Sequence, residues 1–202
     1  VHPLLLAKAR ERYVPYQERM PRELLTHASQ ILGTGQLSLA KYLLICAHED
    51  NPGLDIHDEQ AFFIHLLERI DFKSDLHFST CTTMDTLDYS SQALNEGSKL
   101  VMAAAGPVKR KLSAQLPDTL SLPHGFGPAA MAAPGIAVIQ GPQFETYAKA
   151  GDQFERLKEQ LQGQPSLGGI PLLVVVDDAG FTARTFSNFL WVTFTRSNPS
   201  ND

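Results

Sequence analysis

The chain has 202 residues, 43% hydrophobic and 19% charged, enough for one large domain or two small ones with a real core. A net charge of -5 argues against nucleic acid as a main partner, since a phosphate-binding face needs clustered Lys and Arg. No apolar run nears the ~20 residues that span a bilayer, and the two cysteines are too few for a disulfide scaffold.

These features set the expectation of a cytoplasmic chain with no membrane span and no nucleic-acid partner. Val1 in place of Met reads as the start of a piece cut from a longer protein. Cys46 and Cys81 both lie in apolar, strand-like runs and are expected to be small buried hydrophobes.

Along the chain, Leu4–Val14 and Arg22–Leu32 read as helices. In the second, Leu24, Leu25, Ala28, Ile31 and Leu32 make one apolar face. Tyr42–Ala47 is a strand without polar alternation, which predicts burial on both faces. His57–Ile70 is a helix with Asp55 as its expected N-cap. Leu76–Thr80 and Lys99–Ala105 are further strands.

Gly106–Pro134 is rich in Pro and Gly without a period and reads as a linker holding the short basic cluster Lys109-Arg110-Lys111. Beyond it, Gly135–Gln140 is a strand and Gln143–Leu161 a helix. Phe144, Tyr147, Gly151, Phe154, Leu157 and Leu161 form that helix's expected buried stripe. Leu172–Asp177 is a strand and Thr185–Thr195 the last helix, with Trp191 expected in core packing. Alternating strands and helices predict an α/β layered sandwich of mixed sheet and helices.

Two stretches read as copies of one βα unit. Lys41–Asp75 and Pro171–Asp202 each run from an apolar strand through an acidic turn into an apolar helix, then end Arg-(five residues)-Asp. Their lengths agree if Asn51-Pro52-Gly53 is an insertion in the first. The expected organisation is residues 1–106 as a first unit with leading helices, 107–134 as linker, and 135–202 as a second, truncated unit.

Residue chemistry assembles no complete active site. His48, Glu49, Asp50, Asp55, His57, Asp58 and Glu59 crowd into twelve residues but lack the helical spacing that brings two ligands to one ion, so no metal site is expected. Asp177-Asp178 ends a strand where open α/β sheets bind ligands, yet two acids also simply begin a turn. No phosphate loop, nucleophile elbow or zinc pattern is present. Thr82–Tyr89 mixes hydroxyls, carboxylates and apolar side chains after a strand. It is either a pocket-lining loop or a surface connection with Asx turns.

These segments together resemble the C-terminal domain of the UbiD-type decarboxylase family. That family has a strand ending in acids, a helix with a central Trp, then Thr-Arg-x-x-Pro-x-x-Asp. Here LLVVVDD, Trp191 and Thr195-Arg196-Ser197-Asn198-Pro199-Ser200-Asn201-Asp202 supply that part. The family's next segment, T-P-I-D-Y-L-D-F-A-S followed by G-S-K, is similar to Thr83-Met84-Asp85-Thr86-Leu87-Asp88-Tyr89-Ser90-Ser91, then Gly97-Ser98-Lys99, in the first copy. The first copy departs from the pattern, with Ile64 at the Trp position and no proline between Arg69 and Asp75.

The resemblance implies the pocket-closing and oligomerisation region of a prenylated-FMN-dependent decarboxylase of aromatic or unsaturated acids, with polyprenyl-hydroxybenzoate in quinone synthesis as one branch. It implies a divalent metal and potassium beside the flavin, an upstream flavin-binding domain, a homo-oligomer, and a flavin prenyltransferase as cofactor supplier. The family's Glu-Arg-Glu set and metal ligands belong to the flavin domain, so no catalytic or metal residue is assigned here, and the fragment alone is expected to be inactive. The family loop closes over substrate with an apolar gate. Thr83, Met84 and Leu87 are therefore the substrate-pocket candidates, Leu87 as the gate. Two other readings are a non-catalytic scaffold derived from the same fold and a metal hydrolase built on His48–Glu59.

Overall fold

A computed structural model describes residues 3–13, 18–90, 93–162 and 164–200. It divides into two compact units, Val1–Lys109 together with Thr193–Asp202, and Arg110–Val192. The mixed α/β class matches the sequence reading.

The first unit holds a four-stranded sheet in the order β1-β2-β4-β3. Strand β1 (Leu4–Ala9), β2 (Tyr42–Ala47) and β4 (Glu96–Ala104) are parallel, and β3 (Leu76–Thr83) runs antiparallel to β4 at the edge. Strand β2 is buried at all six positions, as its unbroken apolar run requires when helices cover both sheet faces. On one face, helix α1 (Glu23–Leu32) sets Leu24 and Ala28 against Leu43, Ile45, Ala47, Val101 and Ala103. On the other lies helix α2 (Glu59–Arg69), which buries Phe62, Phe63, Leu66 and Leu67. There Phe194, from the end of the chain, makes edge-on ring contacts with Tyr42 and Phe63.

The first predicted helix is a strand. Leu4–Ala9 is built of good helix formers, but parallel pairing with β2, in the register Leu4 to Tyr42 through Ala9 to Ala47, overrides that local preference. Val14 lies outside the described residues. The α2 cap is Asp58, whose carboxylate accepts the Ala61 N–H, while Asp55 closes a turn one step earlier on the His57 N–H. Helix α1 has no side-chain cap of its own. The buried carboxylate of Glu11 instead accepts the N–H groups of Arg22, Glu23 and Leu24.

The second unit holds a three-stranded sheet, β5 (Ala129–Ala133), β6 (Ile136–Gln140) and β7 (Leu172–Val176). The predicted linker is therefore not a linker throughout, because it supplies β5, which pairs antiparallel with β6. Gly135 turns that hairpin at φ 78°, a backbone region that L side chains rarely adopt. Upstream, the Ser113 N–H donates to Gly169, and the Ser113 carbonyl receives the Gly135 N–H.

Helix α3 (Tyr147–Gln162) leads into β7, parallel to β6. Of its expected stripe Leu157 is buried, but Phe144, Tyr147 and Phe154 are more than half exposed. They meet other rings edge-on (Phe144 with Tyr147, Phe154 with Phe126) rather than entering a core. Asp178 caps the short helix α4 (Ala179–Ala183) through the Phe181 N–H, which is the turn reading of the acid pair. Helix α5 (Phe186–Arg196) closes the chain. Its Trp191 is 57% exposed rather than in the core, because Phe189, Leu190 and Phe194 take the buried side of the helix.

Candidate functional site

The site candidates lie on the loop after β3, at the end of the sheet where β2 and β4 begin. Met84 is buried. Its N–H donates to the carbonyl of Asn95 across the loop, and Asn95 itself sits at φ 61°. The Met84 side chain lies directly on Gly97, where an added Cβ would fall 1.6 Å from the sulfur. Glycine at 97 therefore makes room for the methionine. Thr83, at the end of β3, is exposed, and so is Leu87, at 71%.

Between these points the loop is shaped by its own carboxylates. Asp85 accepts the Leu87 N–H, and Asp88 accepts both the N–H and the hydroxyl of Ser90. These are the Asx turns considered for this stretch, and the Asp88 N–H closes back on the Asp85 carbonyl.

Lys41, the residue before β2, reaches into the loop from below. Its side chain is only 1% exposed, yet its ammonium lies 2.8 Å from the Asp88 carboxylate and 3.0 Å from the Ser90 hydroxyl. Burial alone would raise the Asp88 carboxyl. The Lys41 ammonium, with the Ser90 hydroxyl and N–H, outweighs burial and holds it below the usual carboxylate range. A second buried lysine, Lys99 on β4, donates to the carbonyls of Ser38 and Ala40. Burial lowers its pKa below the usual lysine value.

The two halves of the family-like pattern, far apart in sequence, meet here. The Ser98 hydroxyl of Gly97-Ser98-Lys99 donates to the Asn198 side chain and receives the Ser200 N–H. Tyr42 shares a hydrogen bond with Ser197. Asp202, the end of the second copy, lies outside the described residues, as does Ser91 of the loop motif.

The crowded acids and histidines do not converge on one point. Glu49 accepts the Glu11 N–H and lies near Arg10 and Arg12. Asp50 accepts the Gly106 N–H and pairs with Arg19. Asp55 and Asp58 serve the turns already described. Among the described residues no three His, Cys, Asp or Glu side chains form a group that could hold a metal. The divalent ion implied beside a prenylated flavin therefore finds no ligand set among the described residues. Cys46 is buried as expected, with burial pushing its thiol far above the usual value, but Cys81 on the outer strand β3 is exposed. No helix among the described residues is long and apolar enough to cross a membrane.

Lys41, Asp88, Ser90, Ser98 and Asn198 were not singled out from sequence. Asp88, Ser90, Ser98 and Asn198 lay inside matched motifs, but a lysine before a strand ordinarily reads as solvated. Only the fold shows it buried.

Residues 1–104 match the profile of the 3-octaprenyl-4-hydroxybenzoate carboxy-lyase C-terminal domain, the C-terminal domain of the UbiD family. The chain is 33% identical over 201 residues to an uncharacterized protein of Chlamydia trachomatis, covering all of this chain and 31% of that protein. It is 33% identical over 201 residues to a Chlamydia pneumoniae protein named as a subunit of 4-hydroxybenzoate decarboxylase, again covering all of this chain and 30% of that one. The chain thus spans about a third of the length of these relatives. Among solved structures, the open form of vanillic acid decarboxylase from Sedimentibacter hydroxybenzoicus aligns with 80% of this chain and 27% of its own, at 17% identity and a TM-score of 0.42.

Proposed function

Since the chain belongs to the UbiD family, its residues 1–104 matching that family's C-terminal domain, we propose that it is the substrate-pocket-closing region of a prenylated-FMN-dependent decarboxylase, with Leu87 as the apolar gate. The observation that carries this reading is a leucine 71% exposed on a loop pinned on both sides of it. An ordered loop that holds a large apolar side chain in water suits a surface that covers that side chain in the complete protein.

The substrate class is aromatic or unsaturated acids. The name of the Chlamydia pneumoniae relative favours 4-hydroxybenzoate-like acids for the first assays. The flavin, its divalent ion and potassium are held by an upstream flavin-binding domain, and this chain contributes no bond-breaking group. A homo-oligomer or a complex with a different polypeptide, and supply of cofactor by a flavin prenyltransferase, belong to the same reading, as does the descent of β2–α2 and β7–α5 from one duplicated unit.

The test uses the full-length protein co-expressed with a flavin prenyltransferase. Bound prenylated flavin, seen by absorbance and mass spectrometry, together with altered turnover or substrate range in Leu87→Ala, supports the reading. A flavin-free protein, when a known family member loads in parallel, supports the scaffold instead. A loaded enzyme indifferent to Leu87→Ala removes the gate.

A further inference from the structure

We propose that Lys41 is the positioning residue of the gate, clamping the Leu87 loop to the sheet through Asp88 and Ser90. The inference rests on the gate reading above and adds the device that holds the gate in place.

Lys41 ends in a charge with almost no access to water, and an ammonium so placed is costly unless its partners are well set. The ammonium lies over the Tyr42 ring, and two of its partners, Asp88 and Ser90, are on the loop, 47 and 49 positions along the chain. The ion pair therefore links the start of a fully buried strand to a segment with little core of its own. The two oxygens of Asp88 divide the work. Oδ2 faces Lys41, while Oδ1 takes the Ser90 N–H and hydroxyl and so curls the backbone just after Leu87.

Met84 pins the other end of the loop over Gly97. Thr86 and Leu87 project between the two pins, and both are exposed. Without the Lys41 pin, the turn at Asp88 keeps its bonds to Ser90 and Asp85 on the loop itself. Displacing a positioned group by about an ångström can cost orders of magnitude in rate, so a clamp of this kind acts on function through Leu87.

The test variant is Lys41→Met, which keeps a long unbranched side chain without a buried charge, and leaves Asp88, 10% exposed, with the Ser90 N–H and hydroxyl as partners. Hydrogen exchange on this chain should show amides 87–90 exchanging at least about tenfold faster, with β2 and β4 still protected. Unchanged exchange in the loop overturns the clamp. In the full-length, flavin-loaded protein, the same variant should lower kcat/KM and weaken discrimination between small and bulky acids, with flavin occupancy unchanged.

A loosened loop with unaltered kinetics overturns the positioning role and points to failure of the gate reading rather than of the clamp. If Lys41→Met does not fold, the double variant Lys41→Met/Asp88→Leu replaces both partners with apolar groups and is read in the same two assays.

Discussion

Substituting Gly97 by alanine should push Met84 out of its seat, and the size of the effect follows from the geometry. The new Cβ would lie 1.6 Å from the sulfur, 2.8 Å from Cγ and 3.0 Å from Cε of Met84. Ordinary contacts between such atoms are about 3.5–4.0 Å, so the thioether must retreat by about 2 Å. Met84 is 3% exposed, which leaves it little room to do so without leaving its rotamer or moving the loop.

Overpacking of this kind costs about 1–3 kcal/mol. Met84→Ala alone should cost about 2–5 kcal/mol, through lost burial and a cavity. In the double variant the alanine methyl at 97 occupies space that the methionine has vacated. The two costs should therefore fall short of their sum by about 1 kcal/mol or more. Urea unfolding of the four proteins, with the m-value monitored, measures the cycle. Strict additivity would show that the two side chains do not share this space, and the account of why glycine stands at 97 would be wrong.

Glu11→Ala should destabilise the first unit by roughly 2–4 kcal/mol, because three amides at the start of α1 lose a charged acceptor. Glu11→Gln should cost less, and hydrogen exchange should show α1 opening first. His65 on α2 is pushed down to about 4, first by burial and then by Arg69 and Lys8, against the opposing effect of Asp50. Between about pH 6.5 and 4 the unfolded chain then binds a proton that the folded chain refuses, so stability should fall as pH drops through that window. Thermal unfolding from pH 7 to 4.5 should show this slope, and His65→Phe should flatten it. A chromogenic disulfide reagent should titrate Cys81 in the native protein and Cys46 only on denaturation. Rapid native reaction at both thiols would contradict the burial of β2.

Sequence and structure part company at places with a common cause. β2 was legible to the residue because an unbroken apolar run of that length is satisfied only between two covering layers. Helices α1, α2, α3 and α5 were legible within a few residues because their apolar positions recur at helical spacing. β1 was not, because its side chains favour a helix and only β2 beside it makes an extended backbone worthwhile. β5, an alanine-rich segment among prolines and glycines, has no local signature and is a strand because β6 lies alongside.

For the candidate site, the sequence by itself offered the loop to consider and the side chains it carries, since Thr83–Ser90 and Gly97-Ser98-Lys99 form a specific run of residue types. It also determined the family and the α/β class, and offered Asx turns as one of two readings of the loop carboxylates, which act on neighbours two or three positions away. The tertiary structure alone decided that Lys41 is buried under the loop, that Met84 lies on Gly97, and that Ser98 meets Asn198 a hundred positions later. The physical reason is range. Turns, caps and periodic faces are settled between residues close in sequence, whereas a buried charge finds its partner only after separate strands have been brought together by burying their apolar faces.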